Sequence, residues 1–132
     1  RDIHSAILRV GLDPAFGFLH QPRSAALPLV LDLTEIFRVP VVDMAVLGAV
    51  NRRTFDPEQD FVVTGPQVWL SEGGRVKLID VYERRTHEET RHPAIGYSLS
   101  YKRMMELECR LLEKEWVKGS DEGGLFATYR IR

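Results

Sequence analysis

Pro28-Leu29-Val30-Leu31-Asp32-Leu33-Thr34-Glu35-Ile36-Phe37-Arg38 is the stretch on which the fold turns. Leu29, Leu33, Ile36 and Phe37 recur at i, i+4, i+7 and i+8, the stripe of an amphipathic helix laid against a core. Pro28 suits its first turn, where a missing N–H costs nothing. The pattern predicts a helix from Pro28 to Arg38. One residue breaks it: Asp32 lies inside the apolar stripe, where an unpaired carboxylate would cost on the order of several kcal/mol or be forced to take up a proton. Something has to compensate it.

Upstream stand Gly11-Leu12-Asp13-Pro14 and Gly17-Phe18-Leu19-His20. Ile3, Ile7, Leu8 and Val10 repeat at near-helical spacing, and Gly11 is the residue type favoured just past a helix C-terminus. From there to Ala26 a loop is expected. The chain begins at Arg1 with no clear N-cap before the first apolar repeat, which reads as a processed chain or a fragment.

Downstream, Pro40 predicts a fresh helix start. Val41, Val42, Met44, Ala45, Val46, Leu47, Ala49 and Val50 are apolar on almost every side, as for a central helix covered by others. Asn51-Arg52-Arg53 closes that helix with cations at its C-terminal end. Phe61-Val62-Val63-Thr64, Gly65-Pro66 and Gln67-Val68-Trp69-Leu70 read as a hairpin that must lean on helices. Ser71 is the expected N-cap of a helix with Arg75, Leu78, Ile79 and Tyr82 on one side, running to about Glu89. His92-Pro93 breaks the pattern. A last helix from about Ile95 to Trp116 carries Tyr101, Met104, Met105, Leu112 and Trp116 near one face, with Gly119 as its stop. The expected class is mainly α, a multi-helix domain over residues 1–118 with one small β-hairpin, followed at 119–132 by a flexible or short extended tail.

With 132 residues, 44% of them hydrophobic, the chain can bury a real core. Its 18 basic and 19 acidic residues nearly cancel, so overall charge argues neither for nor against a nucleic-acid partner. The single cysteine, Cys109, excludes an intrachain disulfide and a cysteine-rich metal site, and its setting among Leu107, Leu111 and Leu112 predicts a buried thiol. The longest apolar stretch, Val39 to Val50, is interrupted by Pro40 and Asp43 and is too short to span a bilayer. No cationic-then-apolar signal opens the sequence, so the expected location is cytoplasmic.

Asp32 and Glu35 lie three residues apart, on neighbouring rows of one helical face. His20 leads into the loop that feeds this helix. Imidazole and carboxylate oxygens together suit Mg²⁺ or Mn²⁺ rather than a closed zinc site. Such an open ion polarises phosphate oxygens and activates hydroxyl nucleophiles. A structural reading stays open on spacing alone: Arg38 or Arg23 could pair with Asp32, and His20 could cap a backbone carbonyl.

The ordered run Gly11-Leu12-Asp13-Pro14, Gly17-Phe18-Leu19-His20, Leu31-Asp32-Leu33-Thr34-Glu35-Ile36-Phe37-Arg38 and Asn51-Arg52 resembles the catalytic domain of the CRISPR adaptation integrase and endonuclease, CRISPR-associated protein Cas one. The resemblance implies an α-helical domain in which His20, Glu35 and Asp32 correspond to metal-binding and catalytic positions. It also implies transesterification, a 3′-hydroxyl of a captured DNA fragment attacking a phosphodiester at the edge of the CRISPR repeat during spacer acquisition, the DNA-capturing step of antiviral defence. In that family a further glutamate ligand lies upstream of the histidine, and a β-rich dimerisation domain precedes the helical one. The resemblance therefore implies that this stretch is the C-terminal part of an integrase, the tail of a fusion with the CRISPR-associated nuclease Cas four, with a homodimer, Cas two and double-stranded DNA (prespacer and repeat) as partners. Two competing expectations are a non-catalytic helical interaction module of an adaptation complex and a generic metal-dependent phosphodiesterase.

For DNA, Arg23, Arg38, Arg52, Arg53, Lys102 and Arg103 are the candidate phosphate contacts, each weighed against an ordinary solvated charge. His87 and His92 lie among charged residues and are expected at a solvated helix end, and His4 is expected to be structural. Trp69, Trp116, Tyr97 and Tyr101 are expected in core and interface roles rather than as base-stacking platforms.

Overall fold

A computed structural model describes residues 1–21 and 27–118; Arg23, Gly119 and the tail expected at 119–132 lie outside the described residues. The chain forms α1 (Asp2–Val10), α2 (Pro28–Phe37), a π-helical stretch (Arg38–Asp43), α3 (Met44–Asn51), β1 (Phe61–Thr64), β2 (Gln67–Leu70), α4 (Glu72–His87), β3 (Glu89–Arg91), β4 (Ser98–Ser100) and α5 (Tyr101–Lys118). The class is mainly α, with two small antiparallel strand pairs.

Three helices make the main core. Ile3, Ala6 and Ile7 of α1, Leu29, Leu33 and Phe37 of α2, and Tyr101, Met104, Met105, Cys109 and Leu112 of α5 pack together with Val41. Leu29 and Leu33, both fully enclosed, each contribute roughly 1.5–3 kcal/mol by leaving water. Gly11 ends α1 in the left-handed region at φ 86°, where Leu12 N–H returns to the Ile7 carbonyl. The Pro28 stripe is thus the inner face that the sequence predicts.

Pro40 does not start a new helix. It lacks the N–H that would close an α-helical turn, and its ring crowds the carbonyl four residues back. The chain widens instead into the π-helical stretch, which carries α2 into α3 without an intervening loop. Arg85 Nε donates to the Pro40 carbonyl at 2.8 Å and so ties this bend to α4.

Helix α3 departs further from expectation. Only Ala45 and Ala49 are buried, against Val81 of α4, with Phe55 packed beside them. Met44, Leu47 and Val50 stay exposed at 48%, 55% and 59%. Its all-round apolar character is therefore not matched by cover among the described residues.

The first hairpin pairs Phe61 with Leu70 through Thr64 with Gln67 and turns at Gly65, whose φ is 60°. Ser71 caps α4 by accepting from Gly74 N at 3.0 Å. Buried Asp60 accepts from Asp56 N at 2.7 Å and from Lys77 Nζ at 2.6 Å, fastening the loop before the hairpin to α4. Helix α4 ends at His87 and turns Gly74, Val81 and Thr86 inward; of the four residues expected to share one side, Arg75 and Ile79 are exposed while Leu78 and Tyr82 are half-buried. The second strand pair, Glu89 with Ser100 through Arg91 with Ser98, occupies the start of the expected last helix, which begins only at Tyr101. Of the four large aromatics expected in core or interface roles, Tyr101 is in the core, while Trp69, Tyr97 and Trp116 are exposed. No helix among the described residues is long and apolar enough to cross a membrane.

Candidate functional site

Asp32 is answered by a loop. Asp13 starts that loop as a turn, its Oδ1 accepting from Ala15 N at 2.9 Å. The amide of Leu29 then donates to the Pro14 carbonyl at 3.1 Å, pinning the loop to the first turn of α2. Gly17 passes so close to α2 that a Cβ there would meet Pro28 Cβ at 2.5 Å and Asp32 Oδ2 at 2.7 Å. A side chain at this point would push the loop off the helix.

Beyond Gly17 three successive amides turn onto the carboxylate. Asp32 Oδ2 accepts from Phe18 N at 2.6 Å and Leu19 N at 3.0 Å; Oδ1 accepts from His20 N at 2.9 Å and lies 2.5 Å from His20 Nδ1. Each oxygen serves two donors. Burial pushes the Asp32 pKa up, but the bonds from Leu19, the His20 ring, Phe18 and the His20 amide outweigh it and hold the carboxyl below its ordinary range. An ionised carboxylate only accepts, so Nδ1 donates to it, and in the neutral ring the lone pair then lies on Nε2.

The sequence reading sets Asp32 beside His20 and Glu35 as a ligand. In the structure four donors meet its oxygens, one of them the His20 ring, a geometry in which a carboxylate orients an imidazole. Of the two arginines expected as its partner, Arg38 pairs with Glu35 instead, Nη1 lying 3.4 Å from Oε1, and Arg23 lies outside the described residues.

His20 and Glu35 both keep access to solvent, their side chains 44% and 50% exposed. Glu35 follows Asp32 by one helical turn, on the half of α2 that does not face the core. A nitrogen lone pair and a loosely paired carboxylate fit a hard or borderline divalent ion. They make an incomplete set: among the described residues no group of three or more His, Cys, Asp or Glu side chains is placed to hold a metal.

The candidate phosphate contacts are spread out. Arg38 follows the last residue of α2 next to Glu35, Arg52 and Arg53 follow α3, and Lys102 and Arg103 stand in the first turn of α5. All five are exposed, and Arg53 takes a positive φ of 53° where the chain leaves α3.

His92 overturns its expectation. It and Glu108 are fully buried, joined by Nε2 to Oε1 at 2.8 Å, while His92 Nδ1 accepts from Ala94 N at 3.2 Å and Ile95 N at 3.4 Å. The bond clamps the β3–β4 turn onto α5. Charged neighbours in sequence concealed this, since Glu108 is sixteen positions away. His87 is exposed, as expected.

A loop-borne histidine beside a buried helical carboxylate, with a second carboxylate one turn on, sits here on a helical domain whose fold recurs among solved structures. It superposes with TM-score 0.82 on a casposase bound to integration product, at 24% identity, over 99% of this chain and 37% of that one, which shows the shared fold. A Cas1 protein from Thermotoga maritima matches at TM-score 0.75 and 28% identity, over 88% of this chain and 35% of that one. The family profile of CRISPR associated protein Cas1 matches residues 1–84, and the chain belongs to that family. A CRISPR-associated exonuclease Cas4/endonuclease Cas1 fusion from Myxococcus xanthus is 55% identical over 132 residues, all of this chain and 23% of the relative. A CRISPR-associated endonuclease Cas1 from Moorella thermoacetica is 37% identical over 130 residues, 98% of this chain and 37% of the relative. The chain thus spans about a quarter to a third of the curated relatives it matches.

Proposed function

We propose that this chain is the helical part of a metal-dependent DNA integrase and endonuclease of CRISPR adaptation. The observation that carries the reading is the Asp32 clamp: a buried carboxylate that binds three amides and Nδ1 of His20, so that Nε2 is the ring nitrogen it leaves unengaged. A histidine needed only for packing would not require that orientation.

His20 and Glu35 would hold Mg²⁺ or Mn²⁺, with a further carboxylate supplied by a part of the longer polypeptide. The ion, when bound, supplies positive charge where the phosphodiester transition state is most negative. The residues of the chain do the rest. Asp32 keeps the imidazole in one tautomer and one orientation; Gly17 lets the loop lie close enough for this; Glu35 balances charge. In the reaction a 3′-hydroxyl of captured DNA loses its proton and forms a new phosphorus–oxygen bond, while the bond to the outgoing 3′-oxygen of the repeat strand breaks and that oxygen takes up a proton. No covalent enzyme intermediate is required. Double-stranded DNA, a second copy of the chain, CRISPR-associated protein Cas two and the Cas four nuclease belong to the same proposal, the last supported by the fusions among the relatives.

The test is His20→Ala and Glu35→Gln, separately and together, in the full-length polypeptide. Strand transfer of a 3′-hydroxyl fragment into a repeat-bearing plasmid is expected to fall by at least about 100-fold, with folding and partner assembly retained. Undiminished transfer refutes the reading and favours a helical interaction module. Cleavage lost together with integration of every sequence, repeat or not, points to a general phosphodiesterase.

A further inference from the structure

A second polar feature lies away from the Asp32 clamp, in the groove between α3 and α4. One wall is α3, followed by Arg52; the other is α4 with Arg84 and Arg85, and Glu88 just beyond it; the space between is about 400 Å³. Buried Ala45 and Val81 close the floor. Small side chains there let the helices approach while leaving the long arginines at the rim.

The three guanidinium groups differ in how they are held. Arg85 is fixed: Nε donates to Pro40 O at 2.8 Å, Nη2 to the Tyr101 hydroxyl at 3.2 Å, Nη1 engages Glu88, and the group lies 4.9 Å above the Tyr101 ring. The same contacts neutralise the one carboxylate of the groove. Arg84 makes an exposed pair with Asp80 at 3.0 Å, one turn back on α4; such a solvent-screened pair is readily exchanged for a stronger anion. The Arg52 guanidinium has no hydrogen bond or ion pair among the described residues, although its backbone N–H donates to the Gly48 carbonyl at 3.1 Å. It folds back along α3, with Nη1 3.0 Å from the position a Cβ on Gly48 would take. Glycine at 48 leaves room for this; a larger residue would push the guanidinium away.

We propose that this groove binds the sugar–phosphate backbone of duplex DNA, Arg52 and Arg84 closing on a phosphate from the two helices while Arg85 and Tyr101 hold the wall in place. A phosphodiester is always ionised and offers two free oxygens, which matches planar donors arriving from two sides. The choice of DNA rests on the function proposed above, but the site is separate from His20 and Glu35 and can fail without it.

The experiment compares Arg52→Ala/Arg84→Ala with the parent in the full-length polypeptide, measuring duplex affinity over a salt series. Losing two phosphate contacts should lower the slope of log K against log salt by about 1.8 and weaken binding by about 30-fold near 0.15 M salt. The Lys/Lys variant should keep most of the slope, and Arg110→Ala, on α5 and paired with Glu106, should leave it unchanged. His20→Ala should keep the slope and lose only strand transfer. A parental slope in the Ala/Ala variant overturns this site alone. Loss of assembly with an acidic protein partner at an unchanged slope overturns it in favour of that partner. Absence of DNA binding by the parent overturns it together with the proposed function.

Discussion

Replacing Asp32 with asparagine tests the clamp directly. Each carboxylate oxygen receives two donors, from Phe18 and Leu19 on one side and from the amide and ring of His20 on the other. An asparagine offers one carbonyl oxygen and one NH₂ in the same volume, so whichever way it turns, two donors meet N–H groups. Each unpaired donor costs about 1–3 kcal/mol, and with some relaxation the net loss should be about 2–4 kcal/mol. That is a large share of a stability of about 5–15 kcal/mol. Because the loss is local, it should appear as opening of the Phe18–His20 loop, with amide exchange about 30- to 700-fold faster there and little change in α5. With the NH₂ turned toward His20 the ring loses the acceptor that fixes its tautomer, and with the carbonyl turned there it faces a weaker, neutral one, so Mn²⁺ affinity should fall about 10- to 100-fold without vanishing. Hydrogen exchange by mass spectrometry and manganese titration of the full-length polypeptide read both effects. Parental exchange at residues 18–20 together with parental metal affinity would refute the clamp.

Gly17→Ala places a methyl group 2.5 Å from Pro28 Cβ; it should destabilise the loop by about 1–3 kcal/mol and reduce strand transfer, measured by the same exchange and transfer assays. His92→Ala leaves fully buried Glu108 without its imidazole and should cost about 3–5 kcal/mol in denaturant unfolding, whereas Glu108→Gln, which still accepts from Nε2–H, should cost under about 2 kcal/mol. Burial, then the negative charges of Glu108 and Glu106, push the Cys109 thiol up to about 12. Cys109 should therefore resist a thiol reagent at pH 8 while the chain is folded and react on unfolding; rapid labelling of the native protein would contradict the buried assignment.

The helical stripe at Leu29, Leu33 and Phe37 was readable from spacing because a core-facing helix must repeat near 3.6 residues. So were the Gly11 cap and the Ser71 cap, which depend on one residue and its immediate neighbours. Pro40 misled, since a proline's local rule says break, while anchoring of its carbonyl by Arg85, forty-five positions away, supports a widened turn. The start of α5 misled for a similar reason: Glu89–Arg91 and Ser98–Ser100 form strands only because they pair with each other.

By itself the sequence determined the mainly α class, the helix carrying Asp32 and Glu35, and the need for something to compensate a carboxylate in an apolar stripe. It could not say what the compensation was. Hydrogen-bond donors on the backbone leave no trace in residue identity, so three consecutive amides of Phe18, Leu19 and His20 are invisible until the loop is folded back against α2. Tertiary structure alone decided that Asp32 meets the ring and amide of His20, that His92 and Glu108 meet in the interior, and that Arg52 and Arg84 face one groove. Contacts between residues far apart in the chain depend on how helices pack, and local periodicity carries no record of that.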